Sequence, residues 1–358
     1  MRRFLLGVAA ALCACGGATV DTGDAGDAGK VVKDAGLGDA PGQPPPPQDG
    51  GPPTSETMTF AVNTVYLGEG DRSGTVSSTA WKGYGFNLDG LVSDKSSTDV
   101  CTLYAGAPKT NQTDGTNGVD NSWGETLLPL IQTAASLPNP SQSVSQTIAA
   151  GAFTVQVQVT GLSDDPNQTA NGLKAQIFLS GQYGPGTPSF DSSTSWPVLP
   201  SSLQDGQTIE SGAIAHFDDA YVENGTFVSG KGTDPLVLSL DVQGVAFTFN
   251  VHDAILTFDH KSQNSITNGT IAGTLDTQEF VATMKKAAPE FTTALCGSAF
   301  DGIAQQIEQA SDILDDGTNQ PGTPCTAISI GIGFDAALIA NPTEVSLPPS
   351  PPPDPCQQ

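Results

Sequence analysis

Alternating apolar and polar residues recur along the middle of the chain and predict a β-sheet. Residues 154–159 read Thr-Val-Gln-Val-Gln-Val, which places every second side chain on the same face of an extended strand. Further runs with strand character occupy residues 173–179, 220–228, 236–242, 245–251, 254–258, 271–275 and 327–340. Short segments such as 164–167, 243–244 and 252–253 have turn-forming residues and separate neighbouring runs. This arrangement predicts antiparallel strands joined as a meander.

Apolar residues at helical spacing are less frequent and predict three helices. Residues 124–135 place their leucines and isoleucine on one face, and residues 300–313 carry a second apolar stripe. A helix from Asp276 through Met284 is predicted because Glu279 stands three residues after a capping aspartate, and Pro289 then interrupts the pattern. The predicted fold class is therefore α+β and mostly β, an antiparallel, sandwich-like body with a few helices.

Both ends of the chain lack these periodic patterns. Residues 15–56 are rich in Gly, Asp and Pro and have too little apolar surface to offset the entropy of ordering, so they are predicted to form a disordered linker. Residues 342–358 contain a proline run that cannot enter a helix or sheet. The folded body is expected between them, over residues 57–341, as one domain or two lobes.

Residues 1–14 have the features of an export signal. Arg2 and Arg3 precede an apolar stretch that is shorter than the ~20 residues needed to span a bilayer. Ala14 and Cys15 follow, and this order resembles the lipobox of bacterial lipoproteins, in which the cysteine becomes the lipidated first residue. The alternative is an ordinary cleaved signal with Cys15 as an incidental thiol.

Lipidation of Cys15 would place the protein in the cell envelope, with a lipid anchor as its contact with the membrane. Gly16 follows the cysteine where an aspartate would indicate retention, which favours the outer membrane or the cell surface. The chain has 13 Lys+Arg against 38 Asp+Glu, a net charge of −25. Binding to a phosphate backbone needs clustered Lys and Arg, so we do not expect a nucleic-acid partner.

Six cysteines are present, and four of them lie in the predicted exported body and tail: Cys101, Cys296, Cys325 and Cys356. An even number of cysteines in an oxidising compartment predicts disulfides. We favour Cys296–Cys325, because the segment between them resembles a helix and a returning loop, and Cys101–Cys356 then follows. The alternative leaves Cys101 and Cys356 as free thiols.

Two segments, residues 85–94 and 113–121, cluster carboxylate and amide side chains around glycines. Ca²⁺ prefers six to eight oxygen ligands of these kinds, so the two loops could hold one Ca²⁺. The candidate ligands are Asn87, Asp89, Asp94, Asp114, Asn117, Asp120 and Asn121. Their spacing departs from the EF-hand pattern, and the alternative is simple turn formation, because Asn-Gly and Asp-Gly are also common turn pairs.

The same loops carry a resemblance to a group of proteins. The motifs are Gly85-Phe86-x-Leu88-Asp89-Gly90, Asp114-Gly115-x-x-Gly118-Val119-Asp120-Asn121, Asp218-Asp219-Ala220-Tyr221-Val222 and Cys325-x-Ala327-Ile328-Ser329. Together they resemble uncharacterised surface lipoproteins of the kind found in myxobacterial proteomes. The resemblance implies an exported, lipid-tethered protein and implies no particular activity.

Motifs for catalysis are weak or absent. Residues 225–231 match the spacing of a phosphate-binding loop, but Gly232 stands where Ser or Thr would bind Mg²⁺. His216, His252 and His260 would form a metal or proton-relay site only if they converge with neighbouring aspartates. H-E-x-x-H, C-x-x-C and G-x-S-x-G sequences do not occur.

The leading hypothesis from the sequence is an exported, membrane-tethered lipoprotein that acts as a non-enzymatic binding or envelope-structural module for an unidentified envelope or extracellular ligand. One alternative is a secreted hydrolase that uses paired carboxylates on polysaccharide or peptide. Another is an adhesion module stabilised by calcium.

Overall fold

Eight antiparallel strands close into a barrel in this chain. The computed structural model describes residues 42–134, 137–205, 207–232, 235–242, 245–347 and 355–357. The strands within these ranges are β1 (Thr57–Tyr66), β2 (Thr154–Thr160), β3 (Ala170–Ser180), β4 (Ala215–Glu223), β5 (Thr226–Lys231), β6 (Leu236–Val242), β7 (Val245–Ser262), β8 (Ser265–Asp276) and β9 (Ala327–Ile339). Neighbours pair in the order β1 to β5, then β7, β8 and β9, and β9 pairs with β1. Strand β6 pairs with the first part of β7 and extends the sheet beyond the barrel.

The predicted β-rich, antiparallel fold is confirmed, whereas the sandwich-like arrangement is wrong. Pairing of β5 with β7 and of β1 with β9 closes the sheet on itself. Closure removes the unpaired edges that a sandwich leaves. Local alternation cannot distinguish the two architectures, because strands of both bury every second side chain.

Two strand boundaries differ from the sequence-based prediction. The predicted strand 220–228 is two strands joined by a hairpin at Asn224 and Gly225, which have φ values of 49° and 77°. These left-handed conformations suit the tight turn of a hairpin. The sequence predicts a connection at residues 252–253, but β7 runs through them with a register shift after His252 and a φ of 48° at Asp253. A β-bulge therefore replaces the predicted turn.

Four α-helices lie within the described ranges: α1 (Leu128–Ala134), α2 (Pro140–Ala149), α3 (Thr277–Phe291) and α4 (Asp301–Glu308). One π-helical turn, Trp123–Leu127, leads into α1. The predicted cap of α3 is confirmed, because the Asp276 carboxylate accepts a hydrogen bond from the Glu279 backbone N–H at 2.7 Å. Pro289 does not end the helix, which continues to Phe291 with the proline ring buried.

Large aromatic side chains fill the barrel. The Phe258 ring stacks on Phe227 with ring centroids 4.5 Å apart, and it lies 6.3 Å from the ring of Phe60. Phe60 and Phe258 come from strands that are not neighbours, so this contact crosses the barrel interior. The interior of the barrel is therefore a packed core.

The last part of the predicted linker lies on the body. The Asn171 side chain donates to the Gln48 carbonyl at 2.9 Å, and the Tyr221 hydroxyl donates to the Pro45 carbonyl. Gly51 forms a parallel bridge with Ala170 on β3. Residues 42–56 are therefore held against the barrel, and the expectation of disorder does not apply to them. Residues 1–41, including Cys15, lie outside the described residues.

Part of the predicted proline-rich tail also packs on the body. Val345 forms a parallel bridge with Val198, and the Ser346 N–H donates to the Val198 carbonyl at 2.9 Å. Cys356 is tied to the body by a disulfide to Cys296. Residues 348–354 lie outside the described residues. Among the helices that are described, none is long and apolar enough to cross a membrane.

Candidate functional site

The disulfides differ from the favoured pairing. Cys101 bonds to Cys325, and Cys296 bonds to Cys356. The pairing of Cys296 with Cys325 is therefore wrong, and so is the alternative that Cys101 and Cys356 are free. The cause is a long-range contact, because the Cys325 backbone N–H donates to the Thr102 carbonyl at 3.0 Å and so brings Cys325 next to Cys101.

Several of the predicted calcium ligands lie together in the loop between β1 and α1. The Asp120 carboxylate accepts the Leu88 backbone N–H at 2.7 Å and also lies 3.4 Å from the N–H of Asp89. Asp89 accepts the Leu91 N–H at 2.7 Å. Asn87 donates to the Leu91 carbonyl at 2.6 Å, so it closes the same turn. These side chains use their polar atoms to fold the loop.

Residues from the far end of the chain complete this cluster. The Asn319 side chain donates to Asp89 at 2.6 Å, and it accepts the Cys101 backbone N–H at 2.7 Å. Both Asp312 oxygens accept hydrogen bonds from Ser329, one from its backbone N–H at 2.8 Å and one from its hydroxyl. The sequence around Asn319 has no local signal for this role, since its partners Asp89 and Cys101 lie more than two hundred residues earlier.

The other predicted ligands have separate structural roles. Asp94 is exposed and forms a local turn in which it accepts the Ser96 N–H at 2.7 Å. Asn117 adopts a left-handed conformation with a φ of 61°. Asn121 is buried and joins the loop to the barrel, because its side chain both donates to the Gly331 carbonyl at 3.0 Å and accepts the Gly331 N–H at 3.1 Å.

Burial raises the pKa of the clustered carboxyl groups. It raises the pKa of Asp114 to about 7 and that of Asp312 to about 7, and the charge of Asp89 adds to both shifts. The pKa of Asp120 is also raised well above its usual value by burial and then by the charges of Asp89 and Asp114. Burial likewise raises the pKa of nearby Glu125 to about 7. The loops therefore favour protonated carboxyl groups near neutral pH.

The cluster is not arranged as a metal site. Within the described residues, no group of three or more His, Cys, Asp or Glu side chains is positioned to hold a metal ion. A calcium site requires several oxygens directed at one point, whereas the oxygens here accept hydrogen bonds from the backbone and from Asn319. Turn formation, the alternative from the sequence, accounts for these contacts.

The histidines do not converge on a shared site. His216 lies 3.8 Å from Asp218, and His252 lies 3.0 Å from Glu279. His260 is buried against the ring of Phe60, and burial lowers its pKa. Residues 226–231 form strand β5, so the phosphate-loop spacing belongs to a β-hairpin.

An apolar cavity of about 50 Å³ lies between three helices. It arises because α1 and the π-helical turn before it, together with α3 and α4, each direct an apolar face to the same point. Its inner wall consists of buried side chains from Leu127, Phe280, Met284, Ala288 and Ile307. Its mouth is formed by half-buried side chains from Leu130, Ile131, Phe291, Leu295 and Ile303.

Each wall of the cavity has helical spacing that a sequence can reveal. Phe280, Met284 and Ala288 recur every fourth residue along α3, and Ile303 and Ile307 repeat this spacing on α4. The sequence predicted apolar faces for residues 124–135 and 300–313, but the convergence of these helices with α3 on one cavity depends on helix packing. Cys296 follows the cavity residue Leu295, so its disulfide to Cys356 anchors one side of the mouth.

Comparison with known proteins found no family model, no curated protein and no solved structure that matches this chain.

Proposed function

We propose that this chain is an exported, lipid-tethered envelope protein that acts as a non-enzymatic binding module, with the cavity between α1, α3 and α4 as its binding site. The observation that carries the binding role is the composition of the cavity, because all ten lining side chains are apolar. Pockets for small ligands are concave and mostly apolar, and a volume of about 50 Å³ has room for one small apolar molecule or group. A catalytic pocket would also need acids, bases or nucleophiles at its wall.

The position of the acidic groups supports binding over hydrolysis. Asp120 is only 3% exposed and Asp312 has both oxygens bonded to Ser329, so neither carboxyl group faces a cleft in the way a glycosidase pair does. The cluster and the cavity are also lined by different residues. The hydrolase and calcium-adhesion alternatives have no comparable observation in their favour.

The tether is proposed from Cys15 and the signal-like residues before it. Residues 42–56 are held on the barrel, which leaves the residues between Cys15 and Gly42 as the spacer between anchor and body. Lipid attached to Cys15 would be the membrane anchor, so substitution of this one cysteine should release the protein from the membrane.

Filling the cavity tests the binding role. The small apolar atom xenon should bind in the cavity of the complete exported chain, and Ala288→Phe should abolish that binding because the added ring occupies the cavity. Ala282→Phe is the matched control, since Ala282 is exposed on α3. The chemical shift of xenon-129, followed in a titration, measures binding to both variants, and circular dichroism checks folding. Equal xenon binding by wild type and Ala288→Phe would contradict the assigned site.

Membrane fractionation tests the tether. The wild-type chain should sediment with membranes, and Cys15→Ala should be released as a soluble protein. Cys13→Ala is the control, because Cys13 lies within the signal and would be removed with it. The tether is refuted if the wild-type chain and Cys15→Ala fractionate alike.

A further inference from the structure

Residues 42–51 form a strap that is attached to the body at two separate places. Its far end lies beside the start of β3, where the backbone N–H of Gly51 donates a hydrogen bond of 3.1 Å. Its near end lies on the loop between β1 and α1. There the Asn87 N–H donates to the Gly42 carbonyl at 3.0 Å, and the Gln43 side chain donates to the Asn87 carbonyl. The two attachments therefore contact different parts of the body.

The near end of the strap sits where two segments of that loop meet. The contact between residues 85–94 and residues 113–121 is here named the seam. Asn87 holds Gly42 from one side of the seam. From the other side Gly42 packs so closely that an added Cβ would lie 2.6 Å from the Asn117 carbonyl oxygen, and its φ of 78° also favours glycine. Docking of the strap therefore needs both segments in place.

Carboxyl groups hold the two segments of the seam together. The Asp120 carboxylate accepts the N–H of Leu88, the residue after Asn87, at 2.7 Å. Asp114 and Ser93 exchange two hydrogen bonds: the Asp114 backbone N–H donates to the Ser93 carbonyl at 3.1 Å, and the Ser93 N–H donates to the Asp114 carboxylate. These two carboxyl groups therefore fix the surface on which the near end of the strap docks.

Ionisation of these groups concentrates negative charge at the seam. The acids that act on one another are Asp89, Asp99, Asp114 and Asp120 from the loop, Glu125 from the π-helical turn, and Asp312 from the segment between α4 and β9. Positive charge comes from Lys82, which acts on Glu125. Buried carboxylates repel one another and lack hydration while the segments stay in contact. Opening of the seam admits water and separates the charges, so ionisation favours the open state.

We infer that the seam is a pH-sensitive clasp, which holds Gly42 and Gln43 while its carboxyl groups are protonated and releases them when these groups ionise. The change belongs near neutral pH, because burial and then neighbouring carboxylates raise the pKa of Asp114 and of Asp312 to about 7. A carboxyl group whose pKa is raised in the docked state favours docking at lower pH, and this contribution is lost as the pH rises through that pKa. The inference depends neither on the cavity nor on lipidation of Cys15.

Hydrogen exchange of single backbone amides measures docking. The Asn87 N–H reports the near end of the strap, because it donates to Gly42, and the Gly51 N–H reports the far end. The complete exported chain carrying Cys15→Ala is compared at pH 5 and pH 8 by NMR, and each exchange rate is divided by the intrinsic rate at that pH.

Protection of the Asn87 N–H should fall about tenfold or more from pH 5 to pH 8. A tenfold change corresponds to a difference of one between the pKa values of a single carboxyl group in the docked and released states. Protection of the Gly51 N–H should stay within about threefold, because its attachment contains no carboxyl group.

A first pair of variants assigns the effect to the seam. Asp114→Asn keeps an oxygen that accepts the Ser93 N–H but cannot ionise, so it should abolish the fall in protection. Asp94→Asn makes the same change in net charge at an exposed position of the same loop, and it should retain the fall.

A second pair checks that exchange at Asn87 reports the strap. Gly42→Ala places a Cβ against the Asn117 carbonyl and should leave the Asn87 N–H weakly protected at both pH values. Gly51→Ala is the matched control, because an added Cβ there meets nothing within 4 Å, and it should behave as wild type. Circular dichroism checks that all four variants fold.

The outcomes are separate from those for the cavity and the tether. Equal falls in protection at Asn87 and Gly51 would overturn the inference, because the whole fold rather than the seam would then respond to pH. No fall at Asn87, or the same fall in Asp114→Asn as in wild type, would overturn it too. It also fails if Gly42→Ala leaves Asn87 as protected as in wild type. None of these results bears on xenon binding or on membrane fractionation, which test the proposed function.

Discussion

Buried carboxyl groups are the most unusual single residues in this protein. Asp89, Asp114 and Asp120 come from one loop, and each accepts a backbone N–H of that loop. Their hydrogen bonds favour the charged form, but burial has the larger effect and raises the pKa of all three. The loop therefore keeps its acceptor geometry at a cost in stability near neutral pH.

A neutral side chain of the same shape should relieve that cost. Asp114→Asn keeps an oxygen that can accept the Ser93 N–H and removes a group whose pKa is about 7. We expect the variant to be more stable than wild type at pH 8 by roughly 1–2 kcal/mol, a value reduced for partial solvent screening. Chemical denaturation at pH 8 measures the difference.

Asp94→Asn is the control for this prediction. Asp94 is exposed, and hydrogen bonds from Ser96 lower its pKa, so the substitution should give no gain in stability. A gain of similar size in both variants would show that reduced net charge, rather than relief of burial, is the cause.

At the scale of elements, two disulfides attach peripheral segments to the barrel. Cys101–Cys325 joins the carboxylate-rich loop to the segment before β9, and both half-cystines are buried. Cys296–Cys356 joins the end of the α3 region to the chain terminus, near the mouth of the cavity. The first disulfide therefore fixes a loop, and the second fixes a wall of the candidate binding site.

Removing each disulfide should have different consequences. Replacing Cys101 and Cys325 with alanine should lower the free energy of unfolding by about 5 kcal/mol, whereas replacing Cys296 and Cys356 should lower it by about 4 kcal/mol. The difference comes from loop-closure entropy, because the first disulfide joins residues 224 positions apart and the second joins residues 60 positions apart. Loss of buried packing adds to the first value. Thermal unfolding under non-reducing conditions measures both.

The second disulfide should also matter for ligand binding. Cys296→Ala/Cys356→Ala should weaken xenon binding because Leu295 loses its anchor, whereas Cys101→Ala/Cys325→Ala should leave the affinity of the folded fraction unchanged. If only Cys101→Ala/Cys325→Ala weakened binding, the binding site would not depend on the Cys296 region.

For the whole molecule, the free energy of unfolding should fall as the pH rises from 4 to 7. Carboxyl groups with lowered pKa values in the folded state give the opposite dependence. Asp114, Asp312 and Glu125 have pKa values of about 7 in the folded state, against about 4 in an unfolded chain. Between these values the folded state binds more protons than the unfolded state, so the free energy of unfolding falls as the pH rises. The stabilisation is fully present near pH 4 and is lost by about pH 7.

Melting curves between pH 4 and pH 8 check this dependence. The melting temperature should fall by several degrees across the window and then level off, since each kcal/mol shifts the melting temperature of a large domain by roughly 2–4 °C. Asp114→Asn should flatten the fall. A melting temperature that rises from pH 5 to pH 7 would mean that these carboxyl groups are ionised in the folded protein.

The amino-acid sequence by itself determined the local elements. The alternation in residues 154–159 appears as β2, the run at 327–340 appears as β9, and Asp276 caps α3 as its spacing with Glu279 predicts. The four cysteines of the body and tail form disulfides, as their even number indicates. These features depend on residues within a few positions, or on composition, and so they can be read along the chain.

Only the tertiary structure decided how these elements meet. It selected a barrel through pairing of β1 with β9, chose Cys325 as the partner of Cys101, and brought Asp312 to the loop that contains Asp120. It also brought α1, α3 and α4 around one cavity. Each of these contacts joins segments far apart in sequence, and it depends on shape complementarity and chain closure. The periodicity of a single segment carries no information about either property.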